Sequence, residues 1–152
     1  MTDPYWTQVL SALLMPVVAG LGLYIAYRQW KTSRDRLKLD LFEKRFAVYE
    51  ATRTFIKSII SSGKAEDQPM YIFRASTGET KWLFDEKVAN YLDKQIWKPA
   101  VDLQTLESEL QGMPVGEARS KKVQERSILF EQFMAELRQI EDVFGPYLKL
   151  SH

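Results

Sequence analysis

Nineteen consecutive residues without a charge, Val9 to Tyr27 (VLSALLMPVVAGLGLYIAY), constrain this chain more than any other feature. As an α-helix rising 1.5 Å per residue they reach about 28 Å, close to the ~30 Å hydrocarbon core of a bilayer. Tyr5 and Trp6 flank one end; Tyr24, Tyr27 and Trp30 flank the other. Such amphipathic rings favour the two headgroup layers. Arg28, Lys31, Arg34, Arg36 and Lys38 follow, whereas Asp3 is the only charged residue before Arg28. Lys and Arg are retained on the cytoplasmic side of bacterial inner membranes. The expectation is an N-terminal transmembrane anchor over residues 1–30, its short N-terminus outside, and a cytoplasmic domain over 31–150. Membrane lipid is then the first partner, with Trp6, Tyr27, Arg28, Trp30, Lys31, Arg34, Arg36 and Lys38 at the headgroups. A cleaved signal peptide fits less well: the leading MTDPYWTQ is acidic, and no small-x-small site follows the apolar run. A buried helix of a soluble protein would not need aromatic belts or one-sided basic charge.

Small residues recur within the span. Ala12, Ala19 and Ala26 are seven apart, Pro16 and Gly22 lie between them, and Gly22 and Ala26 form a small-xxx-small pair. Such a seam lets helix backbones approach closely in lipid, so Ala12, Pro16, Ala19, Gly22 and Ala26 are the expected association face of a homo-oligomer. Pro16 also removes one backbone hydrogen bond, a source of kinking.

The remainder reads as all-α. Lys31 to Ile60 has no Pro or Gly, so no breaker separates it from the apolar span, which allows one continuous helix. Leu39, Phe42, Phe46, Tyr49, Ile56 and Ile60, with Leu41, Val48, Phe55 and Ile59 beside them, make an apolar face suited to a bundle core. Ser61 to Pro69 reads as a loop, Pro69 to Ala75 as a short helix, and Ser76 to Thr80 as a turn. Asp85 opens a helical stretch to Gln111, with Val88, Tyr91, Leu92, Ile96, Leu103, Leu106 and Leu110 inward and a break near Trp97–Lys98, because Pro99 falls inside it. Gly112 to Gly116 links antiparallel helices. Glu117 to Phe144 forms the last helix, with Val123, Phe130, Phe133, Leu137, Ile140 and Phe144 inward. Gly145-Pro146 stops it, and Tyr147 to Leu150 packs back. The fold expected is a transmembrane helix continuous with the first helix of a three- to four-helix cytoplasmic bundle.

Residue chemistry argues against catalysis. There is no Cys, and the single His is His152. Thiolate and histidine chemistry, and the metal sites built on them, are therefore not expected. Gly63-Lys64 is followed by Ala65, not the Ser or Thr of a phosphate loop. There is no G-x-S-x-G or H-E-x-x-H. Glu107, Glu109, Glu141 and Asp142 read as solvated helix faces. No cofactor is implied and no enzymatic activity is expected. The formal charge is +1, but Arg28–Ile60 holds nine basic and four acidic residues and 61–152 holds twelve and fifteen. Basic charge thus gathers beside the apolar span. The rings among these residues fall at core spacing rather than as a stacking platform, so no nucleic acid is expected.

The run YIAYRQWKTSRDRLKLDLFEKRFAVYEA, Tyr24 to Ala51, resembles a family of small, uncharacterised bacterial single-pass membrane proteins. They are similar in the N-terminal membrane helix, the KLDLFEKRFAVYEA-type segment at Lys38–Ala51 and the closing FGPYLKL at Phe144–Leu150. That family implies no activity and transfers no functional residue. A looser likeness, of layout only, is to membrane-anchored accessory proteins of antiviral, CRISPR-associated systems. It implies a self-assembling inner-membrane protein that acts as a pore-forming or membrane-perturbing antiphage effector. The alternative is a single-pass tether or adaptor that recruits a cytoplasmic protein partner.

Overall fold

The computed structural model describes the backbone of residues 5–149 and side chains from Pro16 to Lys149. It is all-helical, with no strand among the described residues. The chain divides into two compact units, residues 1–40 and 41–152. α1 (Tyr5–Ser62) contributes to both.

In the first unit, Pro16 lies inside α1. Val17, Val18, Leu21, Leu23 and Ile25 are exposed, as are Tyr24, Tyr27 and Trp30. Among the described residues no helix is long and apolar enough to cross a membrane. Val9 to Met15 of the expected span lie outside the described side chains.

The second unit starts with the remainder of α1. Val48, Tyr49, Phe55, Ile56 and Ile59 are buried there, as the 3–4 spacing predicts. Thr52 is also fully buried, and its hydroxyl donates to the Val48 carbonyl at 2.8 Å, so the core position carries no unsatisfied donor. The apolar face stops short of its expected extent, however. Leu39, Leu41 and Phe46 are exposed. Periodicity identifies the face of a helix, but not where along it the covering elements end.

α1 stops at Gly63, whose φ of +73° suits a residue without a side chain. The Gly63 N–H bonds to the Ile59 carbonyl at 2.8 Å, a left-handed C-terminal cap. α2 (Asp67–Thr77) places Met70 and Phe73 in the core. It begins two residues before Pro69, because a first-turn proline has no intrahelical bond to lose. A short α3 (Thr80–Leu83) follows the turn at Gly78.

Asp85 caps α4 (Glu86–Tyr91) by accepting from the Val88 N–H at 3.2 Å. The break expected near Pro99 takes the form of a π-helical turn, Leu92–Trp97, between α4 and α5 (Lys98–Gln111). In an α-helix the Gln95 carbonyl would need the N–H that Pro99 lacks. Here the Gln132 side chain donates to it at 3.5 Å. The widened turn still carries Leu92 and Ile96 into the core.

Gly112 to Gly116 form the expected link to α6 (Glu117–Phe144). α5 and α6 run antiparallel, with Glu109 paired to Lys122 and Glu107 to Arg126. Phe133, Ile140 and Phe144 are fully buried. Val123, expected inward, is exposed near the start of α6, because periodicity does not tell where the covering elements end. A 3-10 turn, Gly145–Tyr147, ends the helix, and Tyr147 and Leu148 pack against the core.

Candidate functional site

Two regions gather chemistry, one in each unit. The first lies on α1 between Ala19 and Lys38. Ring and cation alternate along it: the Tyr27 and Trp30 rings are 6.2 Å apart, the Arg28 guanidinium lies 5.9 Å from the Tyr24 centroid, and that of Arg34 lies 5.6 Å from Trp30. These cation–π contacts leave the guanidiniums oriented but solvated. The Thr32 hydroxyl is spent locally, donating to the Arg28 carbonyl at 2.9 Å. Tyr24, Arg28, Thr32 and Arg36 border one shallow furrow along the helix.

Of the expected headgroup residues, Tyr27, Arg28, Trp30, Lys31, Arg34, Arg36 and Lys38 all lie on this exposed segment. Trp6 lies outside the described side chains. Of the expected association face, Pro16, Ala19, Gly22 and Ala26 are exposed, and Ala12 lies outside the described side chains. Ala19, Gly22 and Ala26 share a face by their three- and four-residue spacing. A side chain built on Gly22 would meet nothing within 4 Å, so this face is open.

The second region joins the two motif segments at Lys38–Ala51 and Phe144–Leu150, and sequence reasoning missed it. Arg45 donates through Nε to the Leu83 carbonyl at 2.9 Å and through Nη1 to the Tyr147 carbonyl at 3.4 Å. Its guanidinium also lies 5.7 Å from the Phe84 ring and 5.9 Å from the Tyr147 ring. Phe144 meets Tyr49 and Phe84 edge to face, with centroids 5.7 and 5.4 Å apart. The Tyr147 hydroxyl donates to Asp85, the same carboxylate that caps α4. This bond holds the Asp85 carboxyl below its usual range and pushes the Tyr147 phenol up. One arginine and one aspartate therefore fasten the Gly145–Tyr147 turn to α1 and to the start of α4. The available signal was the pairing of the two motifs: an arginine in one, and an aromatic turn in the other.

The bundle interior holds one further polar pair. Glu136 is only 7% exposed, and its Oε2 has no hydrogen-bond partner; neither does the buried Tyr91 hydroxyl. Burial, and then the Glu136 carboxylate, push the Tyr91 phenol above its ordinary value of 10.0. No cluster of three or more metal-ligating side chains occurs among the described residues. Arg45, Asp85 and Tyr147 are engaged with one another and with backbone. What they can do is hold segments together. The first region, by contrast, presents its groups outward.

Against protein-family models, curated proteins and solved structures alike, the chain finds no match.

Proposed function

We propose that the protein is a non-enzymatic inner-membrane protein, anchored by Val9–Tyr27 and self-assembling through that helix, with its helical bundle in the cytoplasm. The observation that carries this reading is the order of residues along α1: an uncharged run, then rings, then five basic side chains within eleven positions, Arg28 to Lys38. Lipid tails, headgroup layer and anionic cytoplasmic surface would meet those three zones in that order. The exposure of Leu21, Leu23 and Ile25 on α1 supports it. The activity attached to assembly is perturbation of the membrane, which the layout likeness to antiviral accessory proteins implies.

Fractionation tests the anchor. Full-length protein should stay in the pellet after an alkaline wash of broken cells and come out with mild detergent. Recovery in the detergent-free supernatant would end the reading. A tether that recruits a cytoplasmic protein is the second reading. Its support is Trp82, 78% exposed on α3, with Tyr71 and Ile72 exposed on α2. A stoichiometric partner in a pull-down, with membrane leakage unchanged on overexpression, would favour it.

A further inference from the structure

The apolar face of α1 does not end where lipid would. At 100° per residue, Ala19, Leu23, Ala26, Trp30, Ser33 and Leu37 fall within an arc of about 80°. Their spacings alternate four and three, a heptad seam. The first series is large (Leu23, Trp30, Leu37) and the second small (Ala19, Ala26, Ser33). Every charged side chain from Arg28 to Asp40 falls outside the arc. Leu23 is 74% exposed, Trp30 58% and Leu37 69%. Leu37 lies ten residues beyond Tyr27, about 15 Å further along the helix, past the headgroup aromatics. Lipid tails would not cover it there, and the segment around it is strongly basic.

We propose that a second copy of this chain covers this face: α1 helices pack in parallel from Ala19 to Leu37, in a seam that crosses the membrane boundary. The inference rests on the anchored reading above and adds how the copies meet. The occupant follows from the repeat. Large residues every seven positions need holes every seven positions, and the same helix in the same register supplies them at Ala19, Ala26 and Ser33. Copies inserted with one orientation are already parallel. A partner helix of another kind would have to bring holes at the same seven-residue spacing, which this helix already carries.

The chain has no cysteine, so single-cysteine variants of the full-length protein report without background. Isolated membranes are oxidised and disulfide-linked dimer is measured for Ala26→Cys, Ser33→Cys and Leu37→Cys, against Asp35→Cys and Leu39→Cys on the opposite side. The seam predicts severalfold more dimer at the first three positions. Comparable linking at Leu37→Cys and Leu39→Cys, linking at Ala26→Cys alone, or none anywhere would overturn it. Fractionation of the same samples separates the two claims. Protein in the washed pellet without Leu37→Cys linking leaves the anchor standing and removes the seam. Protein in the supernatant with Ser33→Cys and Leu37→Cys linking keeps the seam and removes the anchor. As a second measurement, Leu37→Lys should lower the detergent-solubilised oligomer severalfold with helix content unchanged; an unaltered oligomer counts against the seam.

Discussion

Asp85 serves two donors, the Val88 N–H and the Tyr147 hydroxyl, and both bonds need its carboxylate. Its pKa is lowered in the folded protein, chiefly by Tyr147. The sign follows: the group adds stability above its unfolded pKa and loses it as pH falls through the lower folded one. Tyr147→Phe should move the Asp85 carboxyl pKa, followed by NMR, back toward the ordinary carboxylate range, and acid unfolding should begin at higher pH. An unchanged Asp85 titration would mean the bond is not made. The Tyr147 phenol, raised in turn, keeps its share below its unfolded pKa and loses it as pH rises through the folded one. Glu136 acts through its burial alone. A buried carboxyl oxygen without a partner costs free energy, so Glu136→Met, similar in volume, should stabilise the bundle by about 1–3 kcal/mol in a denaturant titration. Destabilisation would show that Glu136 has a partner in solution. At Gly63 the left-handed φ decides: Gly63→Ala should cost about 1 kcal/mol by the same measurement. No loss would place that backbone outside the left-handed region.

At the scale of elements, much of the bundle was legible because local chemistry dictated it. Asp85 opens a helix since its side chain can take an orphan N–H, Gly112–Gly116 and Gly145-Pro146 interrupt the periodicity, and Ile56, Ile96 and Ile140 each fall on the apolar face of their own segment. Pro99 announced a break, but not that a π turn would absorb it, with Gln132 of another helix donating to the Gln95 carbonyl. The exposure of Phe46 and Val123 was hidden for a related reason, since burial depends on where neighbouring elements end. The Arg45–Tyr147 fastening spans a separation in sequence that no periodicity reports. The contrast between buried and uncovered rings gives a test. Phe133, fully buried on α6, should lose about 3–5 kcal/mol as Phe133→Ala. Phe46, 42% exposed and packed on Phe42 and Tyr49, should lose only about 1 kcal/mol as Phe46→Ala. Equal losses would mean that another element, or another copy, covers Phe46 in solution.

For the whole molecule, charge distribution matters more than net charge. A formal +1 conceals an excess of five basic residues in Arg28–Ile60 and an excess of three acidic ones after it. If a membrane is the surface this basic segment faces, replacing Arg28, Lys31, Arg34, Arg36 and Lys38 by Gln has two separable consequences. Adhesion to anionic lipid should weaken by about 1 kcal/mol per residue removed, and the loss should shrink as salt rises, because exposed charges are screened over roughly 8 Å at physiological ionic strength. Orientation should also become mixed, since these five residues, as a basic collar, carry most of the basic charge just after the apolar run. Protease protection of the bundle in spheroplasts reads orientation; flotation with vesicles of graded phosphatidylglycerol content reads adhesion. A five-fold Gln variant that kept one orientation and floated as the parent does would show that the collar answers to some surface other than lipid. The apolar run alone would then have to explain how the chain is placed.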